Sequence, residues 1–354
     1  MNLSTEKFLD NYPAETLISI WKEGAEKAEE YGRKRIEWAF LGNPLGKARL
    51  WLLKDEEKGN YFGCSALLPR YFLIKGEKAR GALIADTAIK KEYRSLGPAL
   101  FLHQEIIKDS TDLAFILAFP NRVAQAVIER VGFKRAKSLA HYIKIIKSRQ
   151  AIRQKIKVRF LAAFLAFFAP VIDLVIKVID FRWPSKKEFV FNLEDVFSEK
   201  FDKIWIKFMS KYRFILERDS TYLKWRYRNN PNLRKDYKIF SVYSKTKNEL
   251  VGYLIYFMEN RFAYVDEFVW IEEQINLENL LSLFGNAMRR ISVEAIRFAF
   301  MEDSLIEKSF RKNMYFRIGT SPLLYYVLDK SMAQDLAVFL DGHGAFITSG
   351  DRDF

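Results

Sequence analysis

A chain of 354 residues, 49% hydrophobic and 29% charged, implies two ordinary cores and excludes a disordered or collagen-like polymer. The single cysteine, Cys64, and three scattered histidines, His103, His141 and His343, exclude a disulfide framework and predict no metal site. The net charge of +14 is local: ten basic residues lie between Lys134 and Arg159, and no acid occurs between Glu129 and Asp173, so nucleic acid is not an expected partner.

The amino-terminal stretch carries Glu6, Asp10 and Glu15 without an apolar run, which is not the pattern of a signal peptide and points to the cytoplasm. Helical patterns run to about Leu41. Strand patterns follow at 48–54, 61–67, 71–75 and 81–90, then a helix at 97–108, a strand at 113–119, a helix at 122–131 and a strand at 139–146. Beyond residue 185 come strands at 237–243, 250–258 and 261–270, a helix at 277–292, a strand at 295–300, a helix at 304–312 and a strand at 323–328. Antiparallel strands followed by strand–helix–strand–helix–strand predict an α/β fold with a mixed sheet in each half.

The two halves repeat. Trp38 to Pro44 and Trp225 to Pro231 both read Trp, four residues, Asn-Pro. Phe62-Gly63-Cys64 is echoed by Val251-Gly252-Tyr253, and Gly132-Phe133 by Tyr315-Phe316. The order is kept, which predicts two copies of one fold over 1–147 and 185–354, joined by a basic, apolar helical connector over 148–184.

In the first half a strand runs into Arg94-Ser95-Leu96-Gly97-Pro98-Ala99-Leu100 and then a helix. A helix amino terminus offers unpaired N–H groups and partial positive charge, and small residues let a phosphate come close. Arg94, Gly97 and Ala99 resemble the signature turn of the GNAT acyltransferases, Gln/Arg-x-x-Gly-x-Gly/Ala. Asn121 and Ala124 fit the next family positions, whereas Ile128 stands where the family carries a tyrosine that protonates the leaving thiolate.

The resemblance implies an acetyl-CoA or other acyl-CoA cosubstrate held by Arg94, Ser95, Leu96, Gly97, Ala99, Leu100, Asn121 and Ala124. It implies an amine acceptor on which Asp86 acts as base or positioning group. An ordinary ion pair at Asp86 is the competing reading. Tyr142 is a candidate acid in place of Ile128, as is Tyr93; Cys64 lacks a histidine partner and reads as a buried small residue. After the corresponding strand of the second half stand Glu272 and Glu273, which would repel a pyrophosphate, so that copy is expected to be degenerate.

Ile152, Ile156, Phe160, Phe164 and Phe168 recur every four residues, interleaved with basic side chains. The apolar run from Phe160 to Ile172 is short of the ~20 residues that span a bilayer. It fits either a helix packed between the domains or an interfacial helix over 149–172 on an anionic membrane surface, at the inner face of the membrane. The functional expectation is an acyl-CoA-dependent N-acyltransferase, acting in polysaccharide or cell-envelope modification. A non-catalytic GNAT-like module that binds a ligand or a membrane partner, and an aminoacyl transferase of the peptidoglycan type, are the alternatives.

Overall fold

Alternating apolar residues build long strands on both sides of the repeat. The structure, a computed structural model, describes residues 2–23, 28–147, 188–232, 235–341 and 344–352, and a few positions between 170 and 178. The connector lies almost wholly outside the described residues; of 149–172 only Pro170 and Val171 are described. No helix among the described residues is long and apolar enough to cross a bilayer.

The first half carries β1 (Leu3–Phe8), β2 (Arg49–Asp55), β3 (Asn60–Ile74), β4 (Glu77–Ile89), β5 (Phe115–Ala118), β6 (Lys134–Arg135) and β7 (Leu139–Ile145). Its helices are α1 (Ala14–Trp21), α2 (Ala28–Arg35), α3 (Leu96–Lys108) and α4 (Arg122–Arg130). The second half carries β8 (Phe189–Glu194), β9 (Phe214–Leu216), β10 (Lys238–Ser244), β11 (Leu250–Glu259) and β12 (Phe262–Trp270). It continues with β13 (Ala295–Met301), β14 (Phe316–Ser321), β15 (Leu324–Val327) and β16 (Ala345–Phe346). Its helices are α5 (Glu199–Met209), α6 (Ser220–Leu223), α7 (Leu277–Arg290), α8 (Ser304–Lys312) and α9 (Ala333–Asp341).

The strands form two mixed sheets, as the pattern predicts. One runs β1-β2-β3-β4-β5-β15-β6, with β9 against β3 and β16 against β9; the other runs β14-β7-β13-β12-β11-β10-β8. The halves thus exchange a strand. β7 of the first half sits between β13 and β14, and β15 of the second sits between β5 and β6. The stretches 1–147 and 185–354 therefore each complete the other's sheet.

The repeated tryptophans meet at the join. Trp38 and Trp225 stack with ring centroids 5.0 Å apart. Each indole Nε1 donates to the backbone oxygen of the other, at 2.8 Å in both directions. Residue i contacts j as j contacts i, the reciprocity of a two-fold interface, here within one chain. Both tryptophans lie on a turn of π-helix, Ile36–Leu41 and Lys224–Arg228. The asparagine that follows in each copy, Asn43 or Asn230, accepts from the backbone N–H two residues on.

Beyond elements the sequence pattern left out, β8, β9, β14, β16, α5 and α9 among them, two differ from what it predicts. Leu3–Phe8 is an edge strand rather than part of a helix; its alternation of Thr5 and Lys7 with Ser4 and Glu6 is polar on both faces, as edges often are. The strands expected at 61–67 and 71–75 are one continuous β3. Its first part pairs with β2 and its last part with β9 on the same edge, and Pro69 falls in the gap between those partners, where the absent N–H breaks no bond.

Candidate functional site

The candidate cleft opens where β4 leaves β5. The two strands pair only at Ala82–Ile116 and Leu83–Leu117. Beyond Leu83, among the described residues, no strand pairs with β4 on that side. Ile84 and Ala85 are still buried, but Asp86 to Lys90 are half-buried or exposed although they stand in mid-sheet. Their backbone therefore lines an opening at the mouth of the strand-to-helix turn.

That turn is built as an anion cradle. Ser95, at the N-cap of α3, makes no side-chain capping bond, and its own N–H donates to the Tyr93 carbonyl at 2.8 Å. The amides of Leu96 and Gly97 begin the first turn, which leaves N–H groups without helical partners. Pro98 contributes none, and Leu100 comes a full turn later, where its N–H belongs to the helix ladder. Ala99 stands between them. A Cβ built on Gly97 meets no atom within 4 Å, so the space beside the helix start is open. Arg94 anchors the turn through Nε to the Ile89 carbonyl at 2.8 Å and, with Lys90 and Lys91, makes the rim basic.

The inner face of α3 fixes the cradle. Leu102, His103 and Ile106 are buried, and Asp109 just past the helix accepts from the Trp51 indole at 3.1 Å. Burial pushes the His103 imidazole down to about 4, and its Nδ1 meets no partner among the described residues. Below the ordinary imidazole value of about 6.5 the unfolded chain binds a proton that the native chain does not, so stability falls with pH in that window. Between about pH 7 and pH 5 the His103 share should be about 2 kcal/mol. Denaturant midpoints at both pH values should show this loss in the wild type and its disappearance in His103→Leu.

Asp86 occupies a bulge. Cys64 pairs with Ala88 and Ala66 with Ala85, so Asp86 and Thr87 together face Ser65, and Asp86 takes φ 53°. Its carboxylate takes Arg35 Nε at 3.1 and 3.2 Å and Nη2 at 2.9 Å, and Arg35 is only 3% exposed. The ion pair left open by the sequence is therefore present, and Arg35 is the partner the sequence did not single out. Thr87, which shares a 2.7 Å hydrogen bond with Ser65, is the other polar group at the bulge.

The remaining site residues separate. Asn121 caps α4, accepting from Val123 and Ala124 N–H at 3.0 and 2.9 Å, so the Ala124 amide is engaged. Ile128 is buried in the core beneath α3 and α4. Tyr142 travels with β7 into the other sheet, where it stacks on Phe300 at 5.1 Å, and burial pushes its phenol up to about 12. It does not share the cleft with Asp86. Tyr93 stacks on Phe62 and accepts from Lys58 and Asn60, both at 3.3 Å. Burial drives the Cys64 thiol well above its ordinary range, which excludes a ready thiolate.

The second copy repeats the frame and closes it. β12 and β13 pair from Phe262–Ala295 to Val265–Phe298 and then part, and Asp266 stands at the bulge as Asp86 does. Residues 347–351 fill the gap. Thr348 bridges Phe300, Met301 N–H donates to the Ile347 carbonyl at 2.8 Å, and Ser349 Oγ to the Val265 carbonyl at 3.2 Å. The fit is close: a Cβ on Gly350 would stand 2.1 Å from the Tyr227 hydroxyl. Arg218, wholly buried, ties Glu267 to Asp351. The helix start is spent as well, because Asn276 caps α7 through Asn279 N–H at 2.8 Å. Glu272 and Glu273 are paired with Trp270 and Lys211.

No family model and no curated protein matches the chain. Solved structures do. A GCN5-related N-acetyltransferase from Anabaena variabilis is similar at 13% identity and TM-score 0.63, over 92% of this chain and 73% of that one. Saccharomyces cerevisiae N-myristoyltransferase with bound myristoyl-CoA is similar at 12% identity and TM-score 0.57, over 92% and 82%. A tandem GNAT protein from the clavulanic acid biosynthesis pathway is similar at 11% identity and TM-score 0.53, over 92% and 99%. With two like sheets, paired tryptophans and matching bulges, the chain has the GCN5-related N-acetyltransferase fold twice over, in tandem.

Proposed function

We propose that the protein is an acyl-CoA-dependent N-acyltransferase whose donor site lies in the first copy alone. One contrast carries the reading: the gap between β4 and β5 is open beside an uncapped helix start, whereas residues 347–351 fill its counterpart. The residues fit the cosubstrate. Leu96 and Gly97 amides and the basic rim suit a pyrophosphate, and the unpaired edge of β4 suits an amide-bearing arm laid along it as an added strand. N–H groups of that edge, held at the bulge by the Arg35–Asp86 pair, would polarise the acyl carbonyl.

An amine nitrogen then attacks the carbonyl carbon, the C–S bond breaks with the electron pair on sulfur, and the proton shed by the nitrogen passes to the thiolate through water. With Ile128 in the family's tyrosine position the thiolate leaves without a tyrosine donor. Asp86, gripped by a guanidinium on both oxygens, orients the amine rather than stripping it, so the amine enters neutral. Polysaccharide or cell-envelope amines are the proposed acceptors, as the sequence resemblance implies.

Calorimetric titration of acetyl-CoA and of a long-chain acyl-CoA into the whole chain tests the reading. One molecule bound per chain is expected, with thiol released when primary amines are added. Binding without thiol release for any amine would favour a ligand-binding module, and no binding of either acyl-CoA would end the proposal. The titration needs the full chain, because 185–354 alone lacks the central strand β7.

A further inference from the structure

The second copy keeps a cavity of its own. A pocket of about 250 Å³ lies beside the plug, lined by His141, Tyr264, Asp266, Arg297, Ser349 and Arg352 among others. Arg297 and Ala299 turn to this side of the sheet, while Phe298 and Phe300 alternate with them and meet Phe310 of α8 on the other. His141 arrives on the exchanged strand β7, opposite Ala299. The pocket is therefore assembled from both halves of the chain and from the segment that plugs the donor gap.

Two arginines line it. Arg297 lies over the rings of Phe262 and Tyr264 at 4.9 and 5.4 Å, and its Nε is enclosed with no hydrogen-bond acceptor among the described residues. Arg352 adds a second positive charge to the lining. Asp266 supplies a negative one, but it already accepts from the Tyr237 hydroxyl at 2.7 Å and has Lys235 at 3.9 Å. His141 shares a 2.7 Å hydrogen bond with Ser321 and is held below its ordinary value by burial and by the fields of Arg352 and Arg297. The Arg297 guanidinium, beside a second arginine in a space of small-molecule size, offers its terminal N–H donors as the fork that oxyanions fit.

We infer that this pocket binds a small oxyanion-bearing molecule, a carboxylate or a phosphate, with Arg297 as its principal ligand. The site is distinct from the cleft at α3 and does not depend on acyl transfer. Wild-type full-length protein is titrated separately with inorganic phosphate and with succinate at millimolar concentration, followed by calorimetry and by melting temperature. Saturable binding of either anion is expected, phosphate alone marking a phosphoryl ligand and succinate alone a carboxylate one. In the Gly97→Glu background, where the α3 turn takes no phosphate, Arg297→Gln should abolish it, and Arg297→Lys, which keeps the charge but loses the fork, should weaken it about tenfold. Phosphate held at the α3 turn would behave oppositely, surviving Arg297→Gln and failing in Gly97→Glu, and that result would overturn the inference. So would the absence of binding by both anions, or equal binding by wild type and both Arg297 variants.

Discussion

Gly97→Glu should raise the stability of the fold slightly while removing acyl-CoA binding. The residue is second in α3, its backbone is not in the left-handed region, and the side chain meets open space. Exchanging glycine for a better helix former, with a carboxylate beside the helix amino terminus, favours the folded state by about 1 kcal/mol. The same carboxylate then lies where the pyrophosphate must come. At about 4 Å and an effective dielectric near 20, two like charges repel by about 4 kcal/mol, which weakens binding by two to three powers of ten. Calorimetry and a melting curve on the same sample decide it. Retained affinity in a folded variant would remove the donor site from this turn. Total loss would also show that the second copy binds no acyl-CoA.

Removing Arg218 should be the most damaging single change to stability. Its guanidinium is wholly buried and donates to Glu267 at 2.8 Å, to the Leu216 carbonyl at 2.6 Å and to Asp351. Burial and the Asp351 charge push Glu267 upward against the pull of Arg218. Arg218→Met leaves two carboxylates enclosed without their cation, a change of about 3–5 kcal/mol. Guanidinium unfolding should record it, and hydrogen exchange should show residues 347–351 released first. Adding Glu267→Gln and Asp351→Asn to Arg218→Met should recover part of the loss, since the uncompensated charge and not the missing contact is the main cost. A loss below about 1 kcal/mol would mean that the cluster is not what seats the tail.

Much of the frame was legible because local chemistry dictates it. The α3 turn announces itself through Gly97, Pro98 and Ala99 at a strand-to-helix junction, and the repeat through Trp38 and Trp225, whose indoles each need an acceptor that only the other copy provides. The exchange of β7 and β15 was not legible. Leu139–Ile145 and Leu324–Val327 are short apolar runs that suit the same slot in two near-equivalent sheets, and alternation records which face is buried but not which sheet is joined. That gap carried Tyr142 away from the cleft and brought His141 to the other pocket. The plug was hidden for another reason: residues 347–351 have no periodicity, and their burial rests on Gly350 and on side chains more than 80 residues away, Glu267 and Arg218 among them. Arg35 was concealed likewise, as one basic residue of a charged helix whose partner stands 51 positions on.

The exchanged strands also govern the order in which the molecule can be made. During synthesis β5 and β6 emerge with an empty slot between them, and the strand that fills it, Leu324–Val327, leaves the ribosome only after nearly all of the second half. At about 5–20 residues per second that interval is on the order of ten seconds or more. Over that time the apolar strand β5 presents an unpaired edge to solvent, a template for pairing with another nascent chain. Neither copy can mature ahead of the other. The donor cleft is therefore finished only near the end of synthesis, and a ribosome that stalls before residue 324 leaves a first half unable to close its own sheet.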